Sequence, residues 1–236
     1  MTTRLIALDA TLPMRIEVRG KGRARDARIE RAWEHACATN PRLFDGDILA
    51  VRGIDSAASV VHASPDRFSH VVCPVPGVSQ RVTILSVTGV IEAMLDGLAC
   101  VLMGRRGACT RSYPGMWEFA PAGGLHSVQA PASLGLEQVL STLTCELAEE
   151  AGINAPLEGV RAVALVADAE ADSVDVIVRA RLAGEAPGPA PGGAHEWEYS
   201  CLRWVPLDGF GAFAASEPGG MIEPTLVVAR WLGWLS

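Results

Sequence analysis

Three glutamates in the second half of the chain have the spacing that could support chemistry. Glu146, Glu149 and Glu150 stand at i, i+3 and i+4, so on a helix their carboxylates share one face. Like charges on one face repel each other by a few tenths of a kcal/mol per pair in water. A divalent cation bound between the carboxylates turns this repulsion into a net attraction. Mg²⁺ and Mn²⁺ prefer carboxylate and carbonyl oxygens as ligands. The pattern indicates either a metal site or an ordinary solvated acidic face.

The sequence around these glutamates predicts a helix and a glycine loop that could face each other. The helix is predicted over residues 134–151, and Gly152 then ends it as a left-handed cap residue. Upstream, Pro121-Ala122-Gly123-Gly124 allows bare backbone to approach an ion, because glycine has no side chain in the way. The carbonyl groups of Ala122 and Gly123 are therefore candidate ligands beside the carboxylates.

The stretch from Trp117 to Ile153 resembles the Nudix box and the segment that precedes it. The family pattern is Gly, five residues, Glu, seven residues, then Arg-Glu-apolar-any-Glu-Glu-any-Gly-apolar. Residues 146–153 match its last part position for position, and Glu137 has the expected spacing. Two features depart from the pattern. Twelve residues instead of five separate Gly124 from Glu137, and Cys145 stands where the family has arginine.

This resemblance implies an α/β (α+β) fold, namely an α/β/α sandwich with a mixed sheet. We expect this Nudix domain at residues 81–236, preceded by a small α+β region at residues 1–80. The implied activity is hydrolysis, dependent on Mg²⁺ or Mn²⁺, of the pyrophosphate in a nucleoside diphosphate linked to another group. Residues 33–46 resemble a segment of longer members that act on UDP-sugars, whereas the Trp-Glu-x-x-Pro-Ala-Gly approach is also like that of ADP-ribose hydrolases.

The resemblance also assigns roles to individual residues. Glu146 and Glu150 would be the principal metal ligands, Glu149 a further ligand or base, and Ala122 or Gly123 would add a carbonyl oxygen. A late glutamate, Glu196 or Glu198, would complete the metal site or serve as catalytic base. The candidates for substrate binding are Arg105, Arg106, Arg111 and Trp117.

Each of these residues also has a plain structural interpretation. The late glutamates can be surface charges beside a Pro- and Gly-rich loop, the arginines can be solvated charges at a hairpin end, and the tryptophan can belong to the core. Glu137 is first interpreted as a structural residue, because it lies nine positions before Glu146, half a turn out of phase on a helix. In the first turn its charge favours the helix dipole.

Cys145 leaves two hypotheses open, because cysteine cannot pair with carboxylates as arginine does. In the first, the protein is an active pyrophosphatase in which another arginine supplies that charge. In the second, it is a binding protein that recognises a nucleotide or sugar nucleotide without cleaving it. The first is favoured, because all three box carboxylates are present.

The composition sets the remaining expectations. The 236 residues fit one or two domains, and a net charge of −7 argues against a broad basic surface for nucleic acid. The six cysteines show no Cys-x-x-Cys pair or zinc spacing. No apolar run approaches the roughly 20 residues that span a membrane, and no signal peptide is evident. We expect a cytoplasmic protein with a small-molecule nucleotide as partner, and a homodimer is left open.

Local patterns predict the elements that position these residues. Apolar residues at helical spacing predict a helix over residues 26–39, and Glu223-Pro224 opens a last helix. Asp96-Gly97 is typical of a hairpin turn. Residues 125–132 are predicted as an inserted loop. The predicted strands cover residues 48–54, 58–63, 67–74, 82–92, 98–103, 160–167, 174–182 and 202–206.

Overall fold

The structure, a computed structural model, describes residues 3–9, 11–24, 26–75, 82–187, 197–217 and 219–235. The strands are β1 (Arg4–Ala7), β2 (Arg15–Val18), β3 (Asp47–Asp55), β4 (Val60–Arg67), β5 (Ile84–Leu95), β6 (Leu98–Arg106), β7 (Trp117–Phe119), β8 (Ala122–Gly124), β9 (Ala132–Leu134), β10 (Leu157–Asp168), β11 (Ser173–Glu185) and β12 (Tyr199–Pro206). The helices are α1 (Ala27–Thr39), α2 (Phe68–Val72), α3 (Leu136–Ala151), α4 (Phe210–Ser216) and α5 (Glu223–Trp231).

The strands of the described residues join in one large mixed sheet. Its main path runs β1-β10-β11-β5-β3-β4-β2-β9, and β6 pairs with β5, β7 and β12. The pairs β11–β5 and β2–β4 are parallel, whereas the others are antiparallel. The central strand β5 also pairs with β8, the short strand of the predicted glycine loop. The predicted mixed α/β fold class is confirmed.

The sheet separates two apolar cores, because successive side chains of a strand point to opposite faces. Along β5, Val87 and Ile91 join a core that contains Leu143 of α3. Val90, which lies between them, joins a second core that contains Phe210 of α4. Helix α5 packs in this second core as well. Helices therefore cover both faces of the sheet, as the sandwich architecture requires.

The predicted N-terminal region shares this sheet with the rest of the chain. Strand β3 meets β5 where Ala50 pairs with Ile84. The inserted segment returns to the N-terminal region, since His126 forms a β-bridge with Ile48 and β9 pairs with β2. Residues 80 and 81, the predicted boundary, lie outside the described residues, so the division into two regions stays a prediction.

Most predicted elements are confirmed, with one clear error. The helix over residues 26–39 is observed as α1, and Asp26 caps it by accepting from the backbone N–H of Arg28 at 2.8 Å. The strand predicted over residues 67–74 is wrong, because helix α2 follows β4 directly. The carboxylate of Asp45 accepts from the backbone N–H of Ser69 at 2.8 Å, a distant contact that stabilises the start of this helix.

Among the described helices, none is both long enough and apolar enough to cross a membrane.

Candidate metal and nucleotide site

Helix α3 presents Glu146 and Glu150 to the neighbouring strand β8 because its apolar side is fixed in the core. Leu143 and Leu147 are almost fully buried there. Glu150 is buried as well, at 5% exposure. The helix ends at Gly152, whose φ of 65° is the left-handed conformation predicted for it. The backbone N–H of Ile153 then donates to the carbonyl of Leu147 at 3.1 Å and closes the cap.

The glycine loop lies directly against two of the three box carboxylates. The backbone N–H of Ala122 donates to Oε2 of Glu150 at 3.3 Å. A Cβ atom on Gly123 would lie only 2.0 Å from Oε1 of Glu146, so any side chain there would displace this carboxylate. Bare backbone therefore lies against the box helix, but the Ala122 group that contacts Glu150 is its N–H, and the carbonyl groups of Ala122 and Gly123 stay predicted ligands.

Glu198, the residue before β12, joins this group. Its side chain shares a hydrogen bond with Glu150. Its backbone is held by Gly107, the residue after β6, whose N–H donates to the Glu198 carbonyl at 2.7 Å. A Cβ atom on Gly107 would lie 1.9 Å from the carbonyl oxygen of Trp197, so the segment before β12 needs glycine at this contact.

The carboxylates of this group disfavour one another's ionisation. Burial, together with repulsion from Glu198 and Glu149, raises the pKa of Glu146 to about 7. Burial, the hydrogen bond with Glu198 and repulsion from Glu146 raise the pKa of Glu150 well above its usual range. A cation bound between these carboxylates would relieve the repulsion and favour their ionised forms.

The donor atoms fit a hard divalent cation such as Mg²⁺ or Mn²⁺. Glu146, Glu150 and Glu198 supply carboxylate oxygens, and the backbone of Ala122 and Gly123 adjoins two of them. Across the described ranges, no three acidic, histidine or cysteine side chains converge in a finished metal-binding arrangement. Glu150 nevertheless interacts with both Glu146 and Glu198.

These groups line a cavity of about 430 Å³. Its wall includes Glu146, Glu150, Glu198, Ala122 and Gly123, all of which were predicted as site residues. Two of the predicted arginines, Arg106 and Arg111, also line the cavity. The structure thus brings carboxylates for a metal and guanidinium groups for an anion to one place.

Arg106 is fixed by a buried partner that the sequence reasoning missed. Its Nη1 donates to Oε1 of Glu118, which also accepts from the hydroxyl of Tyr199 at 2.9 Å. Burial raises the pKa of Glu118 despite the arginine beside it. The sequence contains one signal for this role. Glu118 lies between the core residues Trp117 and Phe119, and successive side chains of a strand point to opposite faces of the sheet.

A second polar group in the cavity wall was also missed. The hydroxyl of Tyr113 donates to both oxygens of Asp168, at 2.8 and 2.9 Å. Asp175 accepts from the hydroxyl of Ser173 at 2.7 Å. Arg111 donates to the carbonyl of Ala171 nearby. No spacing in the sequence indicated these contacts, since the first joins residues 55 positions apart.

Three predicted site residues take other positions. Trp117 is 1% exposed and packs edge-on against Phe213 at a centroid distance of 5.1 Å, so its assignment to substrate stacking is corrected to a core role. Arg105 donates from Nε to the carbonyl of Gly115 at 3.0 Å. Glu149 is exposed, and its Oε1 accepts from the thiol of Cys145 at 3.1 Å. The alternative late glutamate, Glu196, lies outside the described residues.

Comparisons of the chain with known proteins give matches in structure alone. No model of a known protein family matches the sequence, and no curated protein matches it. Nudix hydrolases are among the solved structures that this chain resembles.

Three such structures illustrate the likeness. The NUDIX domain of Shewanella oneidensis NrtR, complexed with ADP ribose, is 19% identical, with 70% of this chain and 94% of that chain covered and a TM-score of 0.40. A MutT NUDIX hydrolase from Burkholderia pseudomallei is 18% identical, with coverages of 62% and 95% and a TM-score of 0.39. A C. elegans Ap4A hydrolase is 15% identical, with coverages of 64% and 98% and a TM-score of 0.39.

Proposed function

We propose that this protein is a Nudix-type pyrophosphohydrolase. It would use Mg²⁺ or Mn²⁺ to cleave a nucleoside diphosphate linked to another group, of the UDP-sugar or ADP-ribose type. One observation carries the proposal: a single cavity contains the box carboxylates Glu146 and Glu150, the late glutamate Glu198 and the guanidinium of Arg106. Carboxylates alone would repel a diphosphate, so this combination suits an anionic ligand that arrives with a cation.

The residues divide the chemistry between them. When bound, a divalent cation would neutralise phosphate oxygens and activate water for attack on phosphorus. Glu146, Glu150 and the backbone beside Ala122 would hold that cation, and Glu198 is placed to complete the site or to accept the proton of the attacking water. Arg106 and Arg111 would bind the phosphate oxygens and orient the diphosphate.

The structure also bears on the role of Glu149, which the resemblance gives as ligand or base. Its carboxylate is exposed and accepts from Cys145 on the outer side of the helix. We therefore place Glu149 after Glu198 as the candidate base. A cytoplasmic location and a homodimer stay predictions from the sequence.

The alternative function is binding without cleavage. It stays open because Cys145 replaces the arginine of the box. Its thiol contacts Glu149 rather than a group of the cavity, so position 145 supplies no positive charge to the site. Arg106 would do so instead, because it is partly buried and interacts electrostatically with Glu150. This arrangement favours the active enzyme, in which another arginine takes over the missing charge.

The test is product release from UDP-glucose, ADP-ribose, dinucleoside polyphosphates and nucleoside triphosphates, each with Mg²⁺ or Mn²⁺. The variant Glu150→Gln should abolish cleavage. The control variant Glu137→Gln should retain it, because Glu137 is exposed in the first turn of the same helix. Cleavage that survives Glu150→Gln would contradict the proposed site. Stabilisation by one ligand without any cleavage would establish the binding protein instead.

A further inference from the structure

The N-terminal region contributes an aromatic and basic part of the cavity wall that the metal site does not use. Arg42, Leu43 and Phe44 follow helix α1 and line the same cavity as Glu146 and Glu150. The ring of Phe44 is 81% exposed, the highest value among the large apolar side chains described as exposed. An apolar ring left exposed in a cavity wall is a surface that a ligand can cover.

Trp197 adds a second ring to this part of the wall. The guanidinium carbon of Arg42 lies over the Trp197 ring at 5.8 Å from its centroid, which is a cation–π contact between the N-terminal region and the segment before β12. The tryptophan backbone is held against Gly107, where a Cβ atom would lie 1.9 Å from its carbonyl oxygen. The next residue is hydrogen-bonded to the same glycine, because the N–H of Gly107 donates to the Glu198 carbonyl at 2.7 Å.

The aromatic part of the cavity wall, formed by Phe44 and Trp197, reaches the carboxylates through Trp197. Trp197 immediately precedes Glu198, whose side chain shares a hydrogen bond with Glu150. Consecutive Cα atoms lie only about 3.8 Å apart. A ligand that fills the cavity can therefore contact the metal-binding end with one group and the ring of Trp197 with the next.

We propose that Phe44, Trp197 and Arg42 form the subsite for the nucleobase, an inference that rests on the proposed function. Every nucleobase has a planar π face that stacks on aromatic rings, and this stacking tolerates differences in sequence and base type. A guanidinium group adds stacking and donates to the carbonyl and ring-nitrogen acceptors of a base. The diphosphate then lies at the carboxylates and arginines, and the N-terminal region selects for a nucleoside over a bare pyrophosphate ester.

Calorimetric titration of the full chain with UDP, ADP and inorganic pyrophosphate, in the presence of Ca²⁺, separates the two ends of the cavity. Of UDP and ADP, one nucleotide should bind the wild type more tightly. Phe44→Ala and Trp197→Ala should each lower the affinity for that nucleotide by about tenfold. The affinity for pyrophosphate should stay within about twofold of the wild type, because the variants leave the diphosphate end intact. Trp197→Phe should retain most of the nucleotide affinity, since it keeps an aromatic face.

Trp231→Ala is the matched control, because Trp231 is 44% exposed on α5 and is not among the residues that line the cavity. It should bind both ligands as the wild type does. Quenching of tryptophan fluorescence by the nucleotide, reduced in Trp197→Phe, provides a second measurement that does not depend on activity.

The outcomes separate this inference from the proposed function. If pyrophosphate binds and the nucleotide binds no more tightly, the base subsite is refuted and the diphosphate site stands. An equal loss of nucleotide and pyrophosphate affinity in Trp197→Ala would mean that the tryptophan only orders the carboxylates, which also refutes the subsite. If neither ligand binds the wild type, the proposed function and the subsite are both refuted.

Discussion

Arg106 donates through Nη1 to Oε1 of Glu118, and this ion pair lies in the wall of the cavity with the carboxylate almost fully buried. The guanidinium is held from a second side, since its Nε donates to the carbonyl of Ser112 at 2.8 Å. Glu118 also accepts from Tyr199. A cation fixed in this way meets an anionic ligand without reorganising, which is the condition for electrostatic stabilisation in a site.

We predict that Arg106→Met lowers the free energy of unfolding by about 3 to 5 kcal/mol, because it leaves the buried Glu118 charge unpaired. The double variant Arg106→Met/Glu118→Gln should recover part of this loss, since the amide oxygen of glutamine still accepts from Tyr199. Urea denaturation measures both values. The control is Arg230→Met, which removes an exposed ion pair between Nη1 of Arg230 and Oε1 of Glu223, 3.5 Å apart. It should lower the free energy of unfolding by less than about 1 kcal/mol. A double variant as unstable as the single one would contradict the explanation.

A second prediction concerns Gly107, which positions Glu198 without contacting the ligand. In Gly107→Ala the new Cβ atom would lie 1.9 Å from the carbonyl oxygen of Trp197, so the segment that carries Glu198 must move. We expect a loss of about tenfold or more in Mn²⁺ affinity, which is usual when a residue that supports a metal ligand is changed. Calorimetric titration with Mn²⁺ measures it.

The matched control for this variant is Gly53→Ala in β3. There the nearest atom to a new Cβ is Cδ2 of His62 at 3.9 Å, an ordinary contact. The control should bind Mn²⁺ with wild-type affinity. Unchanged Mn²⁺ binding in Gly107→Ala would show that Glu198 does not depend on this close contact.

The third prediction is a pH dependence of stability that originates at Asp175. Burial, together with repulsion from Glu118 and Asp168, raises the pKa of this carboxyl from 3.8 to about 7, although Ser173 donates to it. Because the folded state holds this proton more tightly, the stabilisation is full below pH 3.8 and is lost as the pH rises through about 7. Asp175→Asn removes this titration, since asparagine stays neutral.

The unfolding free energy of Asp175→Asn relative to the wild type should therefore increase between pH 4 and pH 8. The change should be a few kcal/mol, because each unit of pKa shift corresponds to about 1.4 kcal/mol. Chemical denaturation at both pH values measures it. A constant difference between Asp175→Asn and the wild type would exclude a raised pKa at this residue.

Local patterns in the sequence predicted the framework of the site because they act over a few residues. The box helix begins two residues later than predicted and ends at the predicted Ala151, and Gly152 has the expected left-handed φ. The hairpin turn at Asp96-Gly97 joins β5 and β6 as expected. Helical spacing, a glycine cap and a turn dipeptide each determine local structure through the conformations of a few neighbouring residues.

The rest of the cavity depends on contacts between distant residues, which no single-sequence pattern specifies. Arg106 and Glu118 are twelve positions apart on paired strands, and Tyr113 reaches Asp168 across 55 positions. Trp117 shows the reverse case. It lies in β7, and only the packing of α4 against this strand decides that its ring faces Phe213 rather than the cavity.

The last prediction tests whether the arginine role of the box is vacant in this chain. Cys145 is exposed and donates to Glu149, whereas the partly buried guanidinium of Arg106 already interacts electrostatically with Glu150. We therefore expect kcat/KM of Cys145→Arg to stay within about threefold of the wild-type value. The new arginine should pair with Glu149 at i+4 and stabilise the helix by about 0.3 kcal/mol. Cys201→Arg, at an exposed cysteine of β12, controls for the added charge. A rise in kcat/KM of tenfold or more in Cys145→Arg alone would mean that Arg106 does not supply the missing charge.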